Sequence, residues 1–317
     1  MSGPTSLGRR FLTTDRGMLE RFGDPFQPLE PDCRVIQFEE RLTPSQLERA
    51  GRLIVDRPDV ELYVHGRSWQ DLSFLKYFRT LQRLHLALYE LRDIDGFANV
   101  PWLRELTFGE TKTKFSLRFV AAWPHLKRLF LVKSKTDLHC LHRLVELQEL
   151  GLSGFTLSDL SLLLPLAKLR KFQLLLGGTR DLAALAQLPA LEDLFLMRIT
   201  KLADLAILTD LAGLKTLRLD WMRNVTSLPS LHRNERLEDV TLDTMKGLTD
   251  LTPIAAAPAL RRLVIAEMPQ LTIDSFRCLV GHPRLEELWA DTGRLRLNRQ
   301  VSEMLPLVAH RFPNQLA

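Results

Sequence analysis

Short segments with alternating apolar and polar residues recur along the chain, and each is followed by leucines at helical spacing. One such unit runs Leu-Gln-Glu-Leu-Gly-Leu over residues 147–152 and continues with leucines at 157, 160, 163 and 166. The period of two predicts a strand whose fourth and sixth positions face inward. The later spacing of three predicts a short helical segment. Each unit is therefore predicted to place a strand on one side and a helical turn on the other.

The same unit repeats along most of the chain at intervals of about 21 to 25 residues, which is the range of leucine-rich repeats. A less regular unit begins at Asp59. Regular units begin at Leu81, Leu103, Leu126, Leu147, Leu169, Leu191, Leu214, Leu237, Leu260 and Leu285. A unit of this length cannot bury its apolar side alone, so stacking against neighbours is required.

A short polar residue stands just before almost every predicted helical segment. These positions are Asp71, Asp93, Asp137, Asp159, Asp181, Asp204, Asp250 and Asp274, with Ser116 and Ser227 in the two gaps. Aspartate and serine accept hydrogen bonds from the free N–H groups at helix starts, and a carboxylate also favours the positive end of the helix dipole. We therefore interpret this column as helix caps and not as a row of catalytic acids.

The unit resembles the 22-residue, internalin-like class of leucine-rich repeats, LxxLxLxxNxIxDLxxLxxL, over about residues 59–290. This resemblance implies an α/β fold: a leucine-rich-repeat solenoid, or horseshoe, with a parallel concave β-sheet and short helices on the convex side. The chain departs from that class at the asparagine position. In the later repeats an apolar residue stands there, which is typical of cysteine-type repeats: Ile199, Met222, Met245 and Met268.

Four regions follow from this pattern. Residues 1–30 are expected to be a loosely ordered N-terminal tail. Residues 31–58 predict a strand-helix cap, because Cys33–Phe38 fits the strand pattern and Thr43-Pro44-Ser45-Gln46 has the form of a capping box. Residues 59–290 are the repeats, and residues 291–317 a C-terminal helical cap with a helix over 301–311. Such caps protect the apolar ends of a repeat stack.

Motifs of enzyme chemistry do not stand out in this sequence. Phosphate-binding glycine loops, HExxH and GxSxG are missing, and His139, Cys140 and His142 are interpreted as ordinary side chains of a helical segment. We predict no catalytic residues, cofactor or metal site, and no enzymatic activity. Three well-separated cysteines and the lack of a secretory signal favour a reducing, cytoplasmic location. No run of apolar residues predicts contact with a membrane.

The strand positions that face outward hold the candidate binding residues. Charges alternate in sign from strand to strand at the third position, which predicts a ladder of ion pairs. The fifth, seventh and eighth positions should be polar, yet several are large and apolar, as in interface cores. They form either a partner-binding surface or a cover over neighbouring backbones. The residues are Phe130, Val132, Leu175, Leu176, Phe195, Met197, Trp221 and Trp289.

Positive charge is concentrated in the middle of the chain. The net charge is +5, and residues 103–190 hold 13 Lys and Arg but only 7 Asp and Glu. We predict a basic patch that is either solvated surface or attracts an acidic partner. Its members are Lys112, Lys114, Lys127, Arg128, Lys133 and Lys135.

The resemblance implies that the chain binds another protein on its concave face, as a scaffold, enzyme regulator, effector or toxin-neutralising protein. The alternative is binding of nucleic acid or an acidic ligand by the basic patch. Nucleic acid is the less expected partner, because only Phe130 is placed to stack on a base beside the patch.

Overall fold

The computed structural model describes residues 10–14, 29 and 31–306. The chain divides after Leu147 into two units. Residues up to 147 are called the first unit and residues from 148 to 306 the second.

In the first unit a parallel sheet is built from one strand of each repeat. Its strands are β1 (Arg10–Thr14), β2 (Cys33–Phe38), β3 (Glu61–His65), β4 (Arg83–Ala87), β5 (Glu105–Phe108) and β7 (Arg128–Val132). Two shorter strands, β6 (Phe115–Ser116) and β8 (Lys135–Thr136), pair with each other. The return segments are helix α1 (Pro44–Ile54) and four 3₁₀ helices, Ser73–Tyr77, Asp95–Asn99, Leu117–Ala122 and Leu138–Arg143.

The second unit continues the same alternation of strand and return segment. Its parallel strands are β9 (Glu149–Ser153), β10 (Lys171–Leu175), β11 (Asp193–Met197), β12 (Thr216–Asp220), β13 (Asp239–Asp243), β14 (Arg262–Ala266) and β15 (Glu287–Asp291). Between them lie the 3₁₀ helices Ser161–Leu163, Ala183–Gln187, Ala206–Asp210 and Arg277–Leu279 and the helices α2 (Thr252–Ala255) and α3 (Ile273–Phe276). Helix α4 (Leu295–Met304) follows the last strand.

The inward positions of the strands pair in register and form the core. Leu150 pairs with Phe172 and Phe172 with Leu194, and all three side chains are buried. The sixth positions, such as Leu152 and Leu196, are buried as well. The predicted inward register and the α/β repeat architecture are therefore confirmed. The return segments are mostly 3₁₀ and not α-helical.

In the later repeats the turn after each strand is filled by an apolar side chain, as the sequence predicts. Ile199, Met222, Met245 and Met268 are almost fully buried at the position that the internalin-like pattern gives to asparagine. Apolar packing thus replaces an asparagine ladder in the later turns.

The residue before this buried turn position has a left-handed backbone in five consecutive repeats, with φ between 50° and 56°. These residues are Leu176, Arg198, Trp221, Thr244 and Glu267. In each case the backbone N–H donates to the carbonyl that ends the next strand, at 2.8 to 3.0 Å. A left-handed non-glycine residue costs about 1–2 kcal/mol. The stacked backbone therefore imposes a strained conformation on side chains that all leave the same edge of the sheet.

The aspartate column caps the return segments. In six repeats one carboxylate oxygen accepts from the backbone N–H two residues later, at 2.7 to 2.9 Å: Asp71, Asp93, Asp159, Asp181, Asp204 and Asp250. Two members differ. Asp137 has a left-handed backbone and accepts from the Ser116 hydroxyl, and Asp274 lies inside α3, whose cap is Thr272.

The N-terminal cap agrees with the sequence, whereas the two ends need correction. The Thr43 capping box and the buried face of α1 are present. Residues 10–14 of the expected loose tail form β1, which pairs in parallel with β2; residues 15–28 lie outside the described part. The C-terminal helix covers Leu295–Met304, so the expected range 301–311 begins too late. The part of that expected range from residue 307 on lies outside the described residues. No described helix is long and apolar enough to cross a membrane.

Truncating an inward leucine should weaken the unit that contains it. Leu150→Ala and Leu196→Ala each remove a fully buried side chain that packs only between neighbouring repeats. We expect each to lower the free energy of unfolding by about 2–5 kcal/mol in urea denaturation. Gln173→Ala, on the outward side of β10, is the matched control. A loss below about 1 kcal/mol at both leucines would contradict the register.

A close backbone contact at Gly96 leads to a second prediction. A Cβ atom there would lie 2.0 Å from the carbonyl oxygen of Leu72. Alanine is normally favoured over glycine in a helix by about 1 kcal/mol. We expect the opposite for Gly96→Ala, a loss of at least about 2 kcal/mol in urea denaturation, because the neighbouring backbone must move. Ala98→Ser, exposed on the same turn, should have little effect. An unchanged Gly96→Ala protein would show that these turns separate easily.

Candidate functional site

In each unit, ion pairs link neighbouring strands at the third position of the repeat, where β12 alone among these strands has the uncharged Thr216. In the first unit Arg83 lies 2.9 Å from Glu105, which also pairs with Arg128. In the second unit Lys171 lies 3.1 Å from Asp193, and Arg262 Nε lies 2.7 Å from Asp239. The predicted charge ladder is confirmed. Because these charges satisfy each other, this column offers little net charge to a partner.

The predicted partner-binding residues fall into separate groups. Phe130 and Val132 lie half-buried on β7 of the first unit. The other six belong to the second unit: Leu175, Leu176, Phe195, Met197, Trp221 and Trp289. Of these, Leu175 is only 9% exposed, so it offers almost no surface. Leu176 and Trp221 are the most accessible, at 47% and 40%. Trp289 is half-buried on β15, three strands beyond β12.

Around Phe195 the second unit forms what we call the aromatic–arginine cluster: Phe195, Arg198, Arg218, Asp220 and Trp221. Phe195 on β11 pairs in register with Arg218 on β12. The guanidinium carbon of Arg218 lies 4.5 Å from the centre of the Phe195 ring. Its Nη2 donates to Asp220 Oδ2 at 2.8 Å and its Nε to Asp220 Oδ1 at 3.2 Å. Arg218 is thus fixed between a ring and a carboxylate.

Burial makes the Asp220 carboxylate unusual. Only 3% of the residue is exposed. Burial raises the pKa of Asp220 above its ordinary value, Arg218 opposes that shift, and the neighbouring Asp243 adds to it. A buried carboxylate requires a hydrogen-bonded partner, so removing the Arg218 side chain would leave an unpaired charge in the sheet face.

The backbone conformation of Trp221 positions its indole side chain. Trp221 follows β12 directly and has a left-handed φ of 55°. Its backbone N–H donates to the Asp243 carbonyl at 2.9 Å. The guanidinium carbon of Arg198, the equivalent residue of the preceding repeat, lies 5.4 Å from the Trp221 ring centre. A large ring is therefore exposed on a strained backbone that is hydrogen-bonded to the next strand, and Asp220, the residue before it, pairs in register with Met197 at the end of β11.

The predicted basic patch is much weaker than its lysine count suggests. Lys133 Nζ lies 3.0 Å from Glu110, Lys112 lies 4.0 Å from Glu90, and Arg128 pairs with Glu105. Exposed Lys114 and Lys127 remain. Glutamates of the adjacent repeats neutralise half of the predicted patch.

Placing Lys135 in that patch is wrong, since the residue is only 7% exposed. Its Nζ donates to the carbonyls of Gly109 at 3.0 Å and Val132 at 3.3 Å, and to the Thr111 hydroxyl at 3.2 Å. It also lies 4.0 Å from the centre of the Phe108 ring. Burial lowers the pKa of Lys135 to about 8. The side chain ties two adjacent turns together from inside.

Histidines of the first unit form a small aromatic group on its sheet. The Tyr63 ring centre lies 4.9 Å from that of His65 and 4.3 Å from that of His85. Burial, with a smaller effect from His65, lowers the pKa of His85 to about 4. His85 is therefore neutral at pH 7, and its contact with Glu61 at 3.8 Å is not an ion pair there.

The group of His139, Cys140 and His142 does not converge on one point. His142 Nδ1 contacts the carbonyl oxygen of His139 at 2.6 Å, and Cys140 is buried. Within the described residues no three His, Cys, Asp or Glu side chains are arranged to hold a metal ion.

Comparison with solved structures gives the fold class. An internalin, inlF, of Listeria monocytogenes matches with a TM-score of 0.55 and 18% identity, over 90% of this chain and 82% of that one. An internalin C2 of the same species matches at 0.45 and 20%, over 61% and 83%. A leucine-rich-repeat protein of Leptospira interrogans matches at 0.46 and 14%, over 96% and 100%. The likeness to the first internalin shows that the chain has the leucine-rich-repeat fold. No protein-family model and no curated protein sequence matches it.

Sequence reasoning missed Arg198, Arg218 and Asp220. Arg218 and Asp220 occupy outward positions five and seven, where charged residues are ordinary, so nothing in the pattern separates them from solvated surface. The one available signal was the strand register, which places Arg218 beside Phe195.

The buried ammonium of Lys135 predicts a dependence of stability on pH. In the unfolded chain a lysine titrates near its ordinary value of 10.5, against about 8 when folded. Between these values the unfolded state binds more protons, so stability should rise with pH. We expect wild type to gain up to about 3 kcal/mol relative to Lys135→Met from pH 8 to 10.5 in urea unfolding. Exposed Lys133→Met should show no such change relative to wild type. A difference between wild type and Lys135→Met that stays constant with pH would exclude a charged, buried Lys135.

Proposed function

We propose that this chain is a non-enzymatic recognition module. It binds a partner protein on the side of the sheet that the outward strand positions of its second unit form. The observation that carries the proposal is Trp221, a large ring 40% exposed on a left-handed backbone. Neither the exposure nor the backbone strain adds to the stability of the unit. A ring fixed in this way is suited to act as an interface anchor, and tryptophan and arginine are the residues most enriched at such anchors.

The neighbours of Trp221 support the same function. Phe195 and Met197 are half-buried on β11, and Arg218 is held over Phe195 by its contact with Asp220. Because these side chains are already fixed, a partner would lose little further conformational entropy by contacting them. The binding site is therefore proposed as a rigid surface, and not as a pocket that closes on a ligand.

Binding of nucleic acid or an acidic ligand to the basic patch has less support. Lys112, Arg128 and Lys133 already contact glutamates, and Lys135 is buried. Phosphate binding requires several cations that are free to replace counterions. Lys114 and Lys127 alone provide a small part of that charge.

A cytoplasmic location is also proposed, on the ground of the three cysteines. Cys33 and Cys140 are buried, Cys278 is half-buried, and all three are free thiols, one in the N-terminal cap and two in separate repeats. Unpaired thiols of this kind are typical of proteins from reducing compartments.

Removing the two aromatic anchors should greatly weaken partner binding without unfolding the protein. We expect Phe195→Ala with Trp221→Ala to weaken binding by at least about 2 kcal/mol, roughly 30-fold, because anchors near an interface centre contribute most of the affinity. The experiment compares partners captured from a native lysate by immobilised wild type and by the variant, followed by titration of the captured protein.

Trp102→Ala is the matched control, because Trp102 is 64% exposed and belongs to the first unit, whereas the proposed site belongs to the second. It should capture the same partner as wild type. Thermal unfolding of all three proteins separates binding from folding. A folded double variant that retains its partner would refute this site, and capture of nucleic acid alone would favour the alternative.

A further inference from the structure

In the second unit, the last four strands of the sheet carry more acidic than basic residues. Residues 216–220, 239–243, 262–267 and 287–291 hold six carboxylates but only two arginines. Both arginines are engaged, Arg218 with Asp220 and Arg262 with Asp239. Asp243, Glu267 and Asp291 therefore contribute negative charge to the potential that a partner meets there.

Three of these carboxylates lie together at the carboxyl ends of the last strands: Asp243, Glu267 and Asp291. Asp243 ends β13 and Asp291 ends β15, and both pair in register with Ala266, which ends β14 between them. Two strand spacings separate their Cα atoms by about 9–10 Å. Glu267 directly follows Ala266 and is exposed. The small alanine thus forms the floor of a notch with carboxylates on three sides.

The carboxylates of this acidic notch keep oxygen atoms available for a ligand. Asp243 Oδ1 accepts from the Thr244 hydroxyl at 2.7 Å, and Asp291 Oδ1 accepts from the Asn298 amide at 3.2 Å. Among the described residues, no lysine or arginine forms an ion pair with Asp243, Glu267 or Asp291. This contrasts with the third strand positions, where oppositely charged neighbours pair.

Trp221 adds an apolar wall beside the notch. The backbone N–H of Trp221 donates to the Asp243 carbonyl at the end of β13. The indole therefore leaves the sheet at the end of β12, one strand before Asp243. A lysine or arginine side chain has a hydrocarbon stem that packs on such surfaces and a charged end that requires carboxylates. The two features therefore match the two parts of one kind of side chain.

We propose that the face formed by Trp221, Asp243, Ala266, Glu267 and Asp291 docks a basic segment of the partner protein, one that carries lysine or arginine. The proposal rests on the proposed function and specifies its partner. The cationic group lies between Asp243 and Asp291, and the adjoining stem contacts Ala266 and Trp221. The partner is therefore opposite in charge to the acidic one that the basic patch suggests.

Selection from a random 12-residue peptide library displayed on phage tests this proposal. Three baits are used: wild type, Asp243→Asn/Glu267→Gln/Asp291→Asn, and the control Asp210→Asn/Glu235→Gln/Glu303→Gln. The control removes the same charge from exposed positions of the second unit outside the face. We expect wild type and the control to enrich peptides with an excess of Lys and Arg. A peptide selected on wild type should bind the notch variant at least about tenfold more weakly, and less so as salt rises.

Selection of neutral or acidic peptides on wild type, or no enrichment at all, would overturn the proposal of a basic partner segment. Equal binding of a selected peptide by the notch and control variants would do the same. The captured natural partner distinguishes the two proposals. If Phe195→Ala/Trp221→Ala loses that partner while the notch variant keeps it, the binding face stands and the basic segment is wrong. If Phe195→Ala/Trp221→Ala and the notch variant both keep the partner, the proposed binding face is wrong as well.

Discussion

Burial of the inward leucines against the same positions of the next repeat is the interaction on which the rest of this structure depends. Leu150, Phe172 and Leu194 are covered only because neighbouring strands pair in register. A shift by one residue would turn these side chains to the opposite face. The same register fixes every outward residue, so the core also determines which surface side chains meet.

One consequence is the edge of left-handed residues after the strands. The N–H of each donates to the end of the next strand, and buried Met222, Met245 and Met268 follow three of them. Because these hydrogen bonds hold the backbone on one side and the packed turn holds it on the other, the backbone has no freedom to relax its φ angle. Trp221 and Glu267 are therefore presented at fixed places, which suits a surface that recognises a partner without rearranging.

Electrostatic pairing decides which charges remain for recognition. On the third strand positions, neighbours of opposite sign neutralise each other, and near Lys112 and Lys133 nearby glutamates do the same. At the ends of β13, β14 and β15 no described lysine or arginine forms an ion pair with Asp243, Glu267 or Asp291. The basic middle of the sequence and the acidic end of the sheet thus differ in effect: the first is largely compensated, whereas the second is not. The uncompensated end carries the proposed specificity.

By itself the sequence determined the leucine-rich-repeat fold, the inward positions, the capping box at Thr43 and most of the aspartate caps, because each follows from a short local spacing. It also indicated Phe195 and Trp221, since large apolar residues break the polar pattern of an outward face. Only the tertiary structure decided that Lys135 is buried, that Arg218 lies between Phe195 and Asp220, and that Ala266 opens a notch between two aspartates. Apart from the contact of Arg218 with Asp220, these facts depend on residues about 20 or more positions apart, and only the stacked register brings those residues together.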